Sequence, residues 1–93
     1  MKTRIMALCE ARHTMPDIVN GAVFPNSIDP LAIEDLEKTA SDTLENVDSL
    51  ILYVTGLSVA LVAVINVCHD KGINLLLMHY NRDTGEYYPQ KVK

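Results

Sequence analysis

Short runs of consecutive apolar residues alternate along this chain with a longer stretch in which apolar and polar positions interleave. Thr3–Glu10 (TRIMALCE) is an apolar run ended by charge, a candidate first strand. Beyond it, Pro16, Gly21, Pro25 and Pro30 punctuate the chain too densely for a long helix. A turn around Asp17–Asn20 and a short extended piece at Ala22–Phe24 are the most this stretch carries. Asp29 before Pro30 is the pairing of an N-cap with a first helical residue. Leu31, Ile33, Leu36, Ala40, Leu44 and Val47 follow at helical spacing, with Glu34, Asp35, Glu37, Lys38, Ser41, Asp42 and Glu45 between them. That pattern predicts an amphipathic helix with one buried face and one acidic, solvated face.

Ser49–Val54 reads as a buried strand between Asp48 and Gly56. A helix from Ser58 to His69 follows, capped by Ser58 and stopped at Gly72. Ile73–Asn81 is a third apolar strand, and Asp83-Thr84-Gly85 turns the chain into a short antiparallel return. Apolar strands alternating with helices point to a parallel sheet covered on both faces. The expected fold is α/β: a small three-layer, Rossmann-like parallel sheet with a C-terminal antiparallel hairpin strand, one domain over residues 1–93.

Leu50–Cys68 carries no charged side chain and is long enough for a membrane span, which needs about 20 residues. Thr55, Gly56 and Ser58 divide it at a strand-to-helix turn, and no Lys or Arg cluster flanks it to orient a span. We read it as core. Within Ser58–His69 only Ser58, Asn66 and His69 are polar. A helix apolar all round is buried on every side, so a homodimer or larger assembly is expected to supply the second cover.

Composition narrows the picture. Twelve acidic and eight basic residues give a net charge of -4, where a partner of long nucleic acid calls for a basic surplus. Duplex DNA or RNA is therefore an unsuitable partner, while a small anion remains suitable. Cys9 and Cys68 sit inside apolar runs with no Cys-x-x-Cys or zinc spacing to His13, His69 or His79, as buried thiols of a reducing, cytoplasmic compartment would. The apolar stretch before Glu10 is too short for a signal-peptide core. No metal constellation, P-loop, dinucleotide fingerprint or nucleophile elbow is visible, so no cofactor is expected.

Ligands of open α/β sheets gather beyond the carboxyl ends of the strands. The first strand is followed by Glu10, Arg12, His13 and Thr14, the second by Thr55, Gly56, Leu57 and Ser58, and the third by His79, Tyr80, Asn81 and Arg82. Thr-Gly-x-Ser opening a helix offers free backbone N–H groups, a hydroxyl and the positive end of the helix dipole, which suit a phosphate. Arg12 and Arg82 can add anion contacts, and His13 can carry a proton or donate to a ribose. Each has a plainer alternative. Thr55-Gly56 can be only a tight turn, His79 a satisfied strand-end histidine, and Tyr80, Tyr87 and Tyr88 a cover for a sheet edge or dimer seam.

Asp48–Pro89 (DSLILYVTGLSVALVAVINVCHDKGINLLLMHYNRDTGEYYP) resembles the ligand-binding half of CRISPR-associated Rossmann-fold (CARF) domains, which run strand, Thr-Gly-Gly-Thr-like turn, apolar helix, strand and hairpin. Thr55-Gly56 keeps that turn, and Leu57-Ser58 replaces its remainder. The length is similar to the stand-alone ring nucleases and cyclic-nucleotide sponges of type III CRISPR antiviral systems and phages. The resemblance implies a homodimer binding a cyclic oligoadenylate across its two-fold axis, and either sequestration or metal-independent cleavage by a ribose 2′-OH. Glu10, Thr55, Gly56, Leu57, Ser58, His79, Asn81 and Arg82 would then bind ligand. Ser58 and the 55–58 N–H groups would hold phosphate, Arg12 or Arg82 would face developing charge, and His13 would be the acid or base. Two competing classes use the same features: a structural phage or host assembly protein that oligomerises through the apolar helix, and a small Rossmann-like hydrolase acting on another nucleotide.

Overall fold

The computed structural model describes residues 2–9, 18–25, 29, 31–55 and 58–92. Its elements are β1 (Thr3–Cys9), β2 (Ala22–Phe24), α1 (Ile33–Thr43), β3 (Ser49–Tyr53), α2 (Ser58–Lys71), β4 (Asn74–Asn81) and β5 (Glu86–Lys91). They build one five-stranded sheet in the order β2-β1-β3-β4-β5. The first four strands are parallel and β5 returns antiparallel beside β4. This is the α/β class expected from the alternation of apolar runs, with the expected C-terminal hairpin.

Register sets the core in rows across the sheet. Met6 stands beside Leu52, and Leu52 beside Leu77; Leu50 stands beside Leu75. These leucines are buried, together with Leu36, Ala40 and Leu44 of and after α1 and Ala60, Ala63, Val64, Val67 and Cys68 of α2. The alternate positions Ile51, Leu76 and Met78, which point to the other face, are half-buried. Ala7 and Tyr53, on that same second face, are buried.

α1 packs on α2, with Asn66 Nδ2 donating to Glu37 at 3.2 Å and Lys71 Nζ to the Ser41 carbonyl at 2.7 Å. The β2-to-β3 and β3-to-β4 connections step the same way across the sheet, and right-handed connections stepping the same way lie on one face. Both described helices therefore form a single layer. The β1-to-β2 connection steps the other way, and most of it, residues 10–17, lies outside the described residues.

Local chemistry fixes the element ends. α1 begins at Ile33 rather than Pro30, because the Asp29 carboxylate accepts from the Leu31 N–H at 2.9 Å in a separate turn and no side chain caps Ala32. After α1 the chain turns through Asn46 at φ 64°, a left-handed position that Asn tolerates. α2 ends in a Schellman motif: Ile73 N–H donates to the Cys68 carbonyl, Gly72 N–H to the His69 carbonyl, and Gly72 takes φ +70°.

β5 is an edge strand. Val92 N–H donates to the Leu75 carbonyl, which with the β4–β5 register directs the backbone N side of residues 87, 89 and 91 outward. Pro89 thus occupies an outward-facing position, where its missing N–H breaks no ladder bond.

Candidate functional site

From β1 the next strand, β2, lies in one direction across the sheet and from β3 the next strand, β4, lies in the other, so the adjacent carboxyl ends of β1 and β3 form a topological switch point, where open α/β sheets bind ligands. Thr55 joins those ends. Its Oγ1 accepts from the Cys9 N–H at 3.2 Å and donates to the Cys9 carbonyl at 3.0 Å, bridging the two strands two residues beyond the last ladder pair, Ala7 with Tyr53. The Thr55 hydroxyl is engaged in both its roles, with one lone pair left over.

Of the other expected site residues, Glu10, Arg12, His13, Gly56 and Leu57 lie outside the described residues. Ser58 is the first residue of α2 and is exposed. Asn81 and Arg82 lie at the hairpin. Asn81 Oδ1 accepts from the Asp83 N–H at 2.9 Å and its carbonyl from the Gly85 N–H at 2.8 Å, so its polar groups hold the turn. Arg82 is exposed in that turn. The structure thus carries Asn81 and Arg82 beyond the end of β3, while His79 stays close to it.

His79 follows Met78, whose carbonyl accepts from the Val54 N–H at 3.0 Å. By parity with buried Leu75 and Leu77 it points to the helix-bearing face, where Val54 packs against the core. Its Nε2 lies 2.7 Å from Gln90 Oε1, and its ring lies 5.4 Å from that of Tyr88 at an angle of 34°. Antiparallel pairing of His79 with Tyr88 and Leu77 with Gln90 creates this cluster. Gln90 had no signal of its own in the sequence; only the hairpin register reveals it.

The other three tyrosines occupy the opposite face. Tyr87 meets Tyr53 edge-on at 4.8 Å and 76°, and Tyr80 at 5.3 Å and 61°. Burial, and then the neighbouring Tyr80 and Tyr53 hydroxyls, push the Tyr87 ionisation above the ordinary 10.0. On the helix-bearing face, Ile65, Asn66, Cys68, His69, Leu75 and Val92 line an open trough of about 350 Å³ between α2 and the β4–β5 ribbon.

Among the described residues, no three His, Cys, Asp or Glu side chains gather closely enough to hold a metal ion. No described helix is long and apolar enough to cross a membrane. The chain matches no protein-family model, no curated protein and no solved structure.

Proposed function

We propose that this chain binds a cyclic oligoadenylate-type second messenger at a homodimer interface, and either cleaves it without a metal or sequesters it. The observation that carries this reading is the junction of β1 and β3 at the switch point, tied by Thr55 to Cys9, with α2 opening nearby at Ser58 and β4 delivering His79 alongside. Backbone N–H groups at a helix start favour an anion, and a neutral strand-end cluster favours an uncharged part of the same ligand.

In the cleaving form, a ribose 2′-oxygen attacks the adjacent phosphorus. The bond from phosphorus to the 5′-oxygen breaks, leaving a 2′,3′-cyclic phosphate and a 5′-hydroxyl. His13 takes the proton from the 2′-OH or gives one to the departing 5′-oxygen. The 55–58 N–H groups and Ser58 hold the phosphate, and Arg12 or Arg82 balances charge in the transition state. A sponge uses the same contacts without the proton transfer.

A thermal-shift series with linear and cyclic oligoadenylates, cyclic dinucleotides and mononucleotides tests the reading. A ligand bound only by the folded chain raises the unfolding midpoint with concentration. A rise confined to one cyclic oligoadenylate supports it, and chromatography of the same sample separates nuclease from sponge. No rise with any nucleotide overturns it.

A second reading, a purely structural protein that oligomerises through α2, is favoured by Val62, an apolar residue of α2 that is 53% exposed. Sedimentation without nucleotide distinguishes it: an assembly lost in Val62→Lys, with no ligand response in either chain, supports this class.

A further inference from the structure

We propose that Tyr88 and Gln90 form a base-recognition surface, Tyr88 stacking on a purine and Gln90 reading the exocyclic amine of adenine. The inference rests on the nucleotide-binding reading above and names the residues that would select the base.

Tyr88 and Gln90 are two residues apart on β5 and project to the same side of the ribbon, the side that also carries His79. Both are exposed, Tyr88 by 50%, so a ligand reaches them without opening the core. Of the three aromatic contacts among the described residues, those within the Tyr53–Tyr87–Tyr80 group are edge-on, at 76° and 61°. The His79–Tyr88 pair alone approaches a stack, at 34°, so the imidazole steadies the Tyr88 ring from one side. A half-exposed ring steadied in this way suits a base, because every base presents a π-face.

Gln90 supplies the selectivity. With the His79 Nε2–H donating to Gln90 Oε1 at 2.7 Å, the side-chain amide is held while its two N–H donors and a second lone pair on Oε1 stay available. A fixed amide matches the neighbouring donor and acceptor at adenine N6 and N7. Tyr88 and Gln90 are uncharged, and the surface therefore favours a base over a phosphate. His79 follows Met78, whose carbonyl takes the Val54 N–H, so the surface adjoins the end of β3 that precedes α2 in the chain.

The test titrates the full chain with 5′-AMP, 5′-IMP and cyclic tetraadenylate, by calorimetry and by intrinsic tyrosine fluorescence, which no Trp obscures. Wild type should prefer AMP over IMP about tenfold, since inosine lacks the exocyclic amine. Tyr88→Ala should weaken both mononucleotides about tenfold, and Tyr88→Phe should restore them. Gln90→Ala should abolish the preference while sparing IMP. Both residues are exposed, and unchanged unfolding midpoints confirm that the variants fold.

If Tyr88→Ala and Gln90→Ala bind cyclic tetraadenylate as wild type does, the base surface is overturned and the ligand reading stands. If wild type ignores cyclic tetraadenylate but binds AMP through Tyr88 and Gln90, the cyclic ligand falls and the base surface stands. Absence of binding by all three probes overturns both.

Discussion

A single hydroxyl joins Thr55 to Cys9 twice, accepting from the Cys9 N–H at 3.2 Å and donating to its carbonyl at 3.0 Å. The side chain extends the β1–β3 ladder where the β3 backbone has left it. Crevices at switch points are where two strands part, and Thr55 ties these two together at Cys9.

Thr55→Val keeps the shape of the side chain and removes both of its hydrogen bonds to the Cys9 backbone. Chemical denaturation should register a loss of about 1–3 kcal/mol. Thr55→Ser retains the hydroxyl and should recover most of it. Equal stability of the Val and Ser variants would show that the bridge carries no weight.

The two sheet faces should respond differently to truncation. Leu52 is fully buried under the helices between Met6 and Leu77, and Leu52→Ala should cost about 2–5 kcal/mol. Ile51, one residue away on the half-buried face, should cost clearly less in Ile51→Ala. Comparable losses in urea unfolding would mean that the second face is packed as tightly as the first.

Gly72 sits at φ +70° with no atom within 4 Å of the position a Cβ would take. Gly72→Ala should therefore cost only backbone strain, about 1–2 kcal/mol, and Gly72→Asn less. A larger loss in Gly72→Ala, read from the thermal midpoint, would point to a clash that the open space around this turn does not provide.

Tyr87 holds its proton to higher pH in the folded chain than in the unfolded one, where it ionises near 10.0. Its contribution is fully present below that value and is lost as pH rises through the folded value. The thermal midpoint should fall above about pH 10, and Tyr87→Phe should reduce the slope of that fall. A slope unchanged in Tyr87→Phe would assign the alkaline loss to other groups.

Most elements were legible because periodicity reports which side of an element is apolar. β2 coincides with the short extended piece Ala22–Phe24, and Gly72 stops α2 as its position suggested. The start of α1 was misplaced because Asp29 has two uses, a helix cap and a tight turn, that look alike in sequence. Partnerships across strands were not legible. Thr55 and Asn81 carry polar groups that suit a ligand and also suit the backbone, and only the register showed the backbone using them. Gln90 stood out only once β5 lay beside β4. Local sequence specifies what a side chain can bond, and strand order specifies which bonds lie within reach.

Pro89 has a consequence for growth. A second sheet aligning with β5 would meet a proline ring where the middle of three outward donors should stand, and on the far side β2 offers only three residues to pair with. Copies of this chain are thereby steered away from zipping edge to edge into an endless ribbon.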